Sequence, residues 1–409
     1  MKILVISNLY PPHYIGGYEL GCRDVVRALK ARGHQVKVLT STYGLRKPES
    51  DGQVYRWLEP QINWKRRRLI NLTKLIRKEL NNQRALKHIM RSYQPDVIYV
   101  WNLTLISVSL ALLAQKRGAR LCYFVSDDWL SRWDQDSWYR FWWDKAQPWR
   151  VRLARAILRP FLVPFGIVPL GSLDLQYVHF ASRYLQRAAL EAGKAAAEPE
   201  VIPWGVDTST FSYKERCSDQ RSLLYVGQLM PHKGVHTIIE AMKILVKEYG
   251  CASVELTLVG GTTRPDYLAD LQTLVGTHSM DANVRFAGWV SRERLPRTYL
   301  QHEILLFPSA WEEPFSITLL EAMSCGLAVV GTATGGSSEV LEHEVNALIF
   351  PKEDARACAN HVRRLLDHPL LFERIRKNGR RVVEDRFRLE TMTDRIERTL
   401  LQIAASASS

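Results

Sequence analysis

A chain of 409 residues exceeds what a single typical core organises, so two domains are expected. Hydrophobic content of 46% and charged content of 24% are those of a soluble globular fold, and six scattered cysteines without a Cys-x-x-Cys pair argue against zinc, iron–sulfur or a disulfide framework. The net charge of +14 suggests a polyanionic surface as partner, either nucleic acid or anionic lipid, while no run reaches the ~18 apolar residues needed to span a bilayer.

In chain order, Ile3–Ser7 reads as a first parallel strand rather than a secretory leader, and a long loop leads from it to Gly16-Gly17. Cys22, Val25, Val26 and Leu29 then recur at helical spacing, and Gly33 ends that helix before a second strand at Val36–Thr40. The opening is therefore a βαβ unit. Residues 61–91 read as an amphipathic helix rich in base (Lys65, Arg66, Arg67, Arg68, Lys74, Arg77, Lys78, Arg84, Lys87, Arg91) with Leu69, Leu72, Leu75, Ile76 and Leu80 on its apolar side. Buried strands follow at Asp96–Trp101 and Leu121–Val125, the second ending in Ser126-Asp127-Asp128-Trp129. Half of the twelve tryptophans fall within 129–149, and a short helix after them sets Arg152, Arg155 and Arg159 apart from Val151, Ala154 and Leu158. Strands at Val178–Ala181 and Val201–Val206 close a first domain, 1–206.

The second domain, 207–384, alternates strand and helix: Leu223–Val226, Val254–Val259, Val284–Phe286, Ile304–Phe307 and Ala328–Val330 are its strands. Gly227–Gly234 is a loop before an amphipathic helix (Val235, Ile238, Ile239, Met242, Leu245), and Gly335-Gly336 precede another expected helix. After Ile304–Phe307 comes Glu313-Pro-Phe-Ser-Ile-Thr-Leu-Leu-Glu321, with Ser316 as N-cap and Ile317 opening a helix. Glu313 then lies in the loop at the strand's carboxyl end and Glu321 one turn inside the helix. Ionised carboxylates only accept hydrogen bonds, so such a pair suits a hydroxyl-rich ligand. Lys233 at the tip of a glycine-bounded loop, with backbone amides at Gly335-Gly336, outlines a seat for a diphosphate, and Glu321 beside it can grip a ribose. The terminal stretch, 385–409, is helical.

These residues, with Tyr10-Pro-Pro, Gly16-Gly17-Tyr-Glu19, Ile202-Pro-Trp-Gly-Val-Asp207, Val226-Gly-Gln-Leu229 and Lys233-Gly234, resemble the family 4 glycosyltransferases. The resemblance spans nearly the whole chain except 129–170. It implies the GT-B fold, α/β, with two Rossmann-like doubly wound domains facing across a cleft. It implies a retaining transfer of a hexose from a UDP- or GDP-linked sugar to a glycan or lipid-linked acceptor, with no metal and no cofactor. By the same resemblance Lys233 neutralises the diphosphate, Glu321 holds the ribose and Glu313 contacts the sugar. Gly16 and Gly17, Gln228, Ser316, Ile317, Gly335 and Gly336 complete the donor site, and the final helix returns to the first domain. Two departures stand out: Gln228 occupies the position of a second cation, and Ser126 that of a histidine. Asp127 (or Asp128) is expected to orient the acceptor or the transferred sugar in place of that histidine.

Two other readings share some of these features. A sugar-nucleotide epimerase of the same fold would use the same nucleotide site without an acceptor. A basic nucleic-acid-binding protein would explain the charge, but the bases cluster on one amphipathic helix rather than interleaving with aromatics. Nucleic acid is therefore not expected as a partner. Either an anionic membrane surface meets 65–91 and 129–170, which would place the protein in the cytoplasm, peripheral on the membrane's cytoplasmic face, or the tryptophans of 129–170 form a lid over the cleft, and the two are compatible.

Overall fold

The computed structural model describes residues 1–61, 69–163, 168–213 and 222–406. The Lys65–Arg68 part of the basic stretch and residues 164–167 of the 129–170 segment lie outside them. The chain divides into two α/β units, Met1–Ile202 with Thr393–Ser409, and Pro203–Met392. The sequence had suggested boundaries at 206/207 and 384/385.

The first unit is built on an eight-stranded sheet. Its strands are β1 (Lys2–Ser7), β2 (Gln35–Ser41), β3 (Glu49–Ser50), β4 (Val54–Leu58), β5 (Val97–Asn102), β6 (Leu121–Val125), β7 (Tyr177–Phe180) and β8 (Glu198–Val201), in spatial order β3-β4-β2-β1-β5-β6-β7-β8. Every pairing is parallel except β3 with β4. β5 and β6 are buried along their whole length, which is why they read as unbroken apolar runs rather than alternating ones. The strand expected at 201–206 ends instead at Val201, because Pro203 has no amide to continue a ladder.

Around this sheet lie α1 (Gly17–Ala31), α2 (Leu69–Tyr93), α3 (Ser109–Lys116), α4 (Ser137–Trp143), α5 (Trp149–Leu162) and α6 (Arg183–Glu191). α1 buries Cys22, Val25, Val26 and Leu29 and ends at Gly33, whose φ of 86° an L side chain rarely adopts. The tryptophan-rich segment has its own small core, in which Trp138, Phe141 and Trp142 of α4 pack with Leu75 of α2 and Val168. Ile76 and Leu80 of α2 border it. Of the apolar side of α2, Leu75, Ile76 and Leu80 are thus turned into the protein. Even Lys78 is buried, its ammonium donating to the Pro60 carbonyl at 2.6 Å.

The second unit carries a six-stranded parallel sheet: β9 (Ser222–Val226), β10 (Glu255–Val259), β11 (Val284–Gly288), β12 (Ile304–Phe307), β13 (Ala328–Gly331) and β14 (Leu348–Ile349), in spatial order β11-β10-β9-β12-β13-β14. Its helices are α7 (Val235–Lys243), α8 (Pro265–Thr277), α9 (Leu295–Leu300), α10 (Ile317–Ser324), α11 (Ala355–Asp367) and α12 (Pro369–Arg386). The C-terminal helical stretch is broken at Phe387-Arg388, after which α13 (Leu389–Ala405) begins. From Thr393 onward α13 belongs to the first unit. Glu397 holds Arg32 at 2.6 Å and Asp394 holds the same guanidinium at 2.7 Å, while Arg395 pairs with Glu200 at 2.8 Å.

Candidate functional site

In an open parallel sheet, ligands gather outside the carboxyl ends of the strands where the strand order reverses. The second unit reverses between β9 and β12, since β10 and β11 build outward on one side and β12 returns to the other. The loops leaving β9, β12 and β13 therefore converge there, and they carry Lys233, Glu313 and Gly335-Gly336.

Two glycines permit this convergence. Gly234 (φ 67°) separates a short 3₁₀ turn, Pro231–Lys233, from α7, and a Cβ there would overlap the Pro308 carbonyl oxygen. Gly335 (φ 49°) approaches Glu313 so closely that a Cβ would overlap its carbonyl oxygen. The Ala310 amide also donates to the His232 carbonyl at 3.0 Å, tying the Lys233 loop to the exit of β12.

Inside this frame the charges are paired. The Lys233 ammonium lies 2.7 Å from Glu313 Oε1, which also accepts from Ser309 Oγ at 2.7 Å. Glu313 is 4% exposed, so water screens the pair poorly. The Trp311 ring lies 5.3 Å from the same ammonium, and Trp311 itself packs against His232. Gln228 is in the same loop, its backbone carbonyl held by the Tyr225 hydroxyl at 2.8 Å.

Glu321 projects from α10 and is buried. Its Oε2 accepts from the Tyr299 hydroxyl at 2.9 Å, and its Oε1 forms an ion pair with Arg292. Arg292 also lies over the Phe211 ring, 4.8 Å from its centroid. Arg292 and Tyr299 were not among the residues singled out from sequence. They precede Glu321 by 29 and 22 residues, Arg292 in the turn before α9 and Tyr299 within it, so no local spacing joins them. Ser316 stands at the N-cap of α10 as expected, but its hydroxyl meets that of Thr318 at 2.9 Å rather than a backbone amide. Ile317 is the first helical residue.

The amides expected to face a phosphate are engaged within the protein. Gly335 N–H donates to the Glu312 carboxylate at 2.6 Å, and Gly336 N–H to the Glu313 carbonyl at 2.6 Å. Gly335-Gly336 do not precede an α-helix; they open a 3₁₀ turn, Gly335–Glu339, made of residues with weak helix propensity. No aligned helix dipole stands behind them. Glu312 is in turn paired with Lys352, so the Gly335 amide, Glu312 and Lys352 form a chain of one hydrogen bond and one ion pair beside the Lys233–Glu313 pair. The first bond of the chain is to an exchangeable side chain, whereas the Gly336 bond is part of the scaffold.

In the first unit, Gly16 is the N-cap of α1 and Gly17 its first residue. Gly16 N–H donates to Glu19 Oε2 at 3.0 Å and Ile15 N–H to Glu19 Oε1 at 3.2 Å, so an internal carboxylate accepts from the amides at this helix start. Burial pushes the Glu19 carboxyl up despite these donors.

Asp127 sits just past β6, next to the reversal between β1 and β5. Asn102 Nδ2 donates to its Oδ2 at 2.7 Å and the Trp129 amide to its Oδ1 at 3.0 Å. On the neighbouring strand end, Asn8 Oδ1 accepts from the Tyr18 hydroxyl at 2.6 Å. Asp127 is half-buried, and burial pushes its carboxyl up to about 6 against those two hydrogen bonds. Asp128 is exposed and pairs with Arg132 at 3.1 Å, which separates the two candidates. Ser126 is buried and its hydroxyl has no hydrogen-bond partner among the described residues. Among the described residues no group of three His, Cys, Asp or Glu side chains is arranged to hold a metal, and no helix is long and apolar enough to cross a membrane.

Residues 15–210 match the model of Glycosyltransferase Family 4 and residues 209–382 that of Glycosyl transferases group 1. Over 381 residues the chain is 24% identical to the uncharacterized glycosyltransferase MJ1607 of Methanocaldococcus jannaschii, covering 86% of each protein. It is 31% identical over 191 residues to the amylovoran biosynthesis glycosyltransferase AmsK of Erwinia amylovora, covering 45% of this chain and 46% of AmsK. The fold is similar to that of Anabaena Alr3699/HepE, with a TM-score of 0.70 at 21% identity over 98% of this chain and 100% of that one. It is also similar to sucrose-phosphate synthase from Thermosynechococcus elongatus, with a TM-score of 0.73 at 23% identity over 99% of each chain. With the two family models adjoining along the sequence, and two parallel-sheet units of the GT-B type, the chain is an enzyme of the family 4 glycosyltransferases, with a group 1 domain as its second half.

Proposed function

We propose that the enzyme moves a hexose from a UDP- or GDP-linked sugar to a glycan or lipid-linked acceptor, with retention of anomeric configuration and without a metal. The observation that carries this reading is the Lys233–Glu313 pair at the β9/β12 reversal, a cation and a carboxylate held 2.7 Å apart on glycine-locked loops. A diphosphate arriving there offers Lys233 a stronger anionic partner. It also frees Glu313 to accept hydrogen bonds from sugar hydroxyls. The ribose hydroxyls would meet Glu321, in exchange for its ion pair with Arg292, and Gln228 and the Ser316-Ile317 helix start would border the nucleotide. Gly335 would turn its amide from Glu312 to a phosphate oxygen.

In the transfer, the bond from the anomeric carbon to the diphosphate oxygen breaks while the acceptor hydroxyl attacks from the same face and gives its proton to the departing phosphate oxygen. Lys233 stabilises the charge that develops on the leaving diphosphate. Asp127 orients the acceptor or the transferred sugar through its ionised carboxylate. Cationic side chains do the charge work, and neither a metal nor a cofactor has a part in the proposal.

The similar HepE has been crystallised with UDP-glucose, which makes that the first donor to try. Calorimetry with UDP and GDP should show one nucleoside diphosphate binding to the wild type and binding far more weakly to Lys233→Ala. Proton NMR of the product should show the donor's anomeric configuration, and turnover should persist in EDTA. Equal nucleotide affinity in wild type and Lys233→Ala would remove the pair from the donor site. An inverted product would sink the retaining mechanism, and isomerised donor without acceptor would point to an epimerase.

A further inference from the structure

α5 has two apolar faces, and only one is used by the fold. Val151, Leu158 and Leu162 turn inward onto the small core of Trp138, Phe141 and Trp142. Arg155 locks the helix in place by donating to the carbonyls of Trp142 and Asp144 at 3.0 and 2.9 Å, at the end of α4. On the other side Trp149, Leu153, Ile157 and Phe161 are 67%, 53%, 57% and 68% exposed. They follow one another at intervals of four, which at 3.6 residues per turn keeps them on a single strip. Scattered exposed apolar residues are ordinary on a soluble protein, but four large ones in a row mark a contact surface.

We infer that this strip is a docking face for an anionic phospholipid bilayer, on which α5 lies in the plane of the headgroups. The charges around it select this occupant. α5 has four arginines and no acid. By helix geometry Arg150 and Arg152 stand on opposite sides of the strip at its Trp149 end. Arg159 stacks on Trp143 at 4.7 Å and Arg150 on Trp149 at 5.5 Å, so at these two positions guanidinium and indole stand side by side. Arginine and tryptophan flanking an apolar strip suit a headgroup boundary, where the strip enters the acyl region and the guanidiniums meet phosphates. A second copy of the chain is a poorer match. Two such strips face to face would bring arginines against arginines with no carboxylate of α5 to offset them. This docking does not depend on the glycosyl-transfer proposal and is measured without a donor.

The test is sedimentation of the full-length protein with vesicles of phosphatidylcholine alone or mixed with phosphatidylglycerol. The protein should pellet with the anionic vesicles, less with the neutral ones, and less again as salt is raised. Leu153→Asp/Ile157→Asp changes two exposed side chains and should lower the vesicle-bound to free ratio about tenfold or more. Arg150→Gln/Arg152→Gln should lower it by roughly fivefold per charge, on anionic vesicles only. Thermal unfolding of both variants should match the wild type, since none of the four residues is buried. Wild-type protein left in the supernatant of the anionic vesicles, or a Leu153→Asp/Ile157→Asp protein that pellets as wild type does, would overturn the proposal. So would a wild-type dimer in velocity sedimentation that Leu153→Asp/Ile157→Asp converts to monomer, which would give the strip to a second copy.

Discussion

Carboxylates lie at or beside the strand-order reversal in each unit, and they are stabilised in opposite ways. At β9/β12 the acids are matched by cations: Glu313 by Lys233, Glu321 by Arg292 and the neighbouring Glu312 by Lys352. Beside β1/β5 the acid is held by two neutral donors, Asn102 and the Trp129 amide, and its carboxyl rises to about 6. The first arrangement suits exchange with a charged ligand, because a diphosphate can take over a cation already in place. The second suits a group whose charge depends on its surroundings near neutral pH. One sheet topology thus carries two electrostatic designs, and breaking each should leave different traces.

The largest effect is expected from Lys233→Ala. A hydrogen bond to a charged group contributes about 1.5–3 kcal/mol, so nucleoside diphosphate affinity should fall about a hundredfold. Glu313 would keep Ser309 but lose its counter-charge while buried, which should cost about 2 kcal/mol of stability. Lys233→Ala/Glu313→Gln should regain much of that stability without regaining affinity. Denaturant unfolding and calorimetry on both variants measure the two quantities, and recovery of both together would mean the pair is structural.

Asp127→Asn probes the other design. Turnover should fall about thirtyfold, in line with about 2 kcal/mol for a charged hydrogen bond, with donor affinity unchanged. Wild-type turnover should rise with pH through about 6 as the carboxyl ionises, and the variant should lose that limb. Stability runs the other way. A carboxyl raised by burial favours the protonated folded state, so its contribution is full below pH 4 and is lost as pH rises to about 6. Asp127→Asn should flatten that part of the stability–pH curve. A pH limb that survives in the variant would assign it to another group.

The residues on which these predictions rest were unequally legible in the sequence. The β9, β12 and β13 runs, the loops after them, and the places of Lys233, Glu313 and Gly335 follow from apolar periodicity and turn chemistry, which act over a few residues. The partners of Glu321 do not, because Arg292 and Tyr299 reach it only through packing of α9 against α10. Nor did the sequence reveal that Gly16 would turn its amide to Glu19, since a glycine pair before a helix looks the same whether its anion is internal or external. The tryptophans misled for a related reason. Composition alone marks Trp129–Trp149 as an interface, yet Trp129, Trp133, Trp138 and Trp142 are all at most 7% exposed. Periodicity detects an apolar face but does not say which of two such faces the core will take, and α5 has one of each.

A smaller effect is expected from Tyr299→Phe, which removes one hydrogen bond to Glu321 and leaves Arg292 in place. An ordinary hydrogen bond contributes about 1 kcal/mol, so donor affinity should fall about fivefold with the fold intact. Loss of folding instead would show that the Tyr299–Glu321 contact supports α10 rather than the ligand.

The smallest effect, and a gain, is expected from Gln228→Arg. The chain resembles a family that places a second cation here, and the structure fixes the backbone of the position. The Gln228 carbonyl accepts from Tyr225 and from the Met230 amide, and the Leu229 amide donates to the Gly261 carbonyl. An arginine would therefore start from a settled backbone in the same loop as Lys233. It would add attraction for a diphosphate but also repel Lys233 when no ligand is bound, and the two effects partly cancel. Donor affinity should rise by about threefold, less than a full charged hydrogen bond would give, and the gain should shrink with added salt. The same substitution in a Lys233→Ala background meets no repulsion and should give a larger gain, which separates the two contributions. An equal gain in both backgrounds would mean that position 228 and Lys233 do not share a ligand.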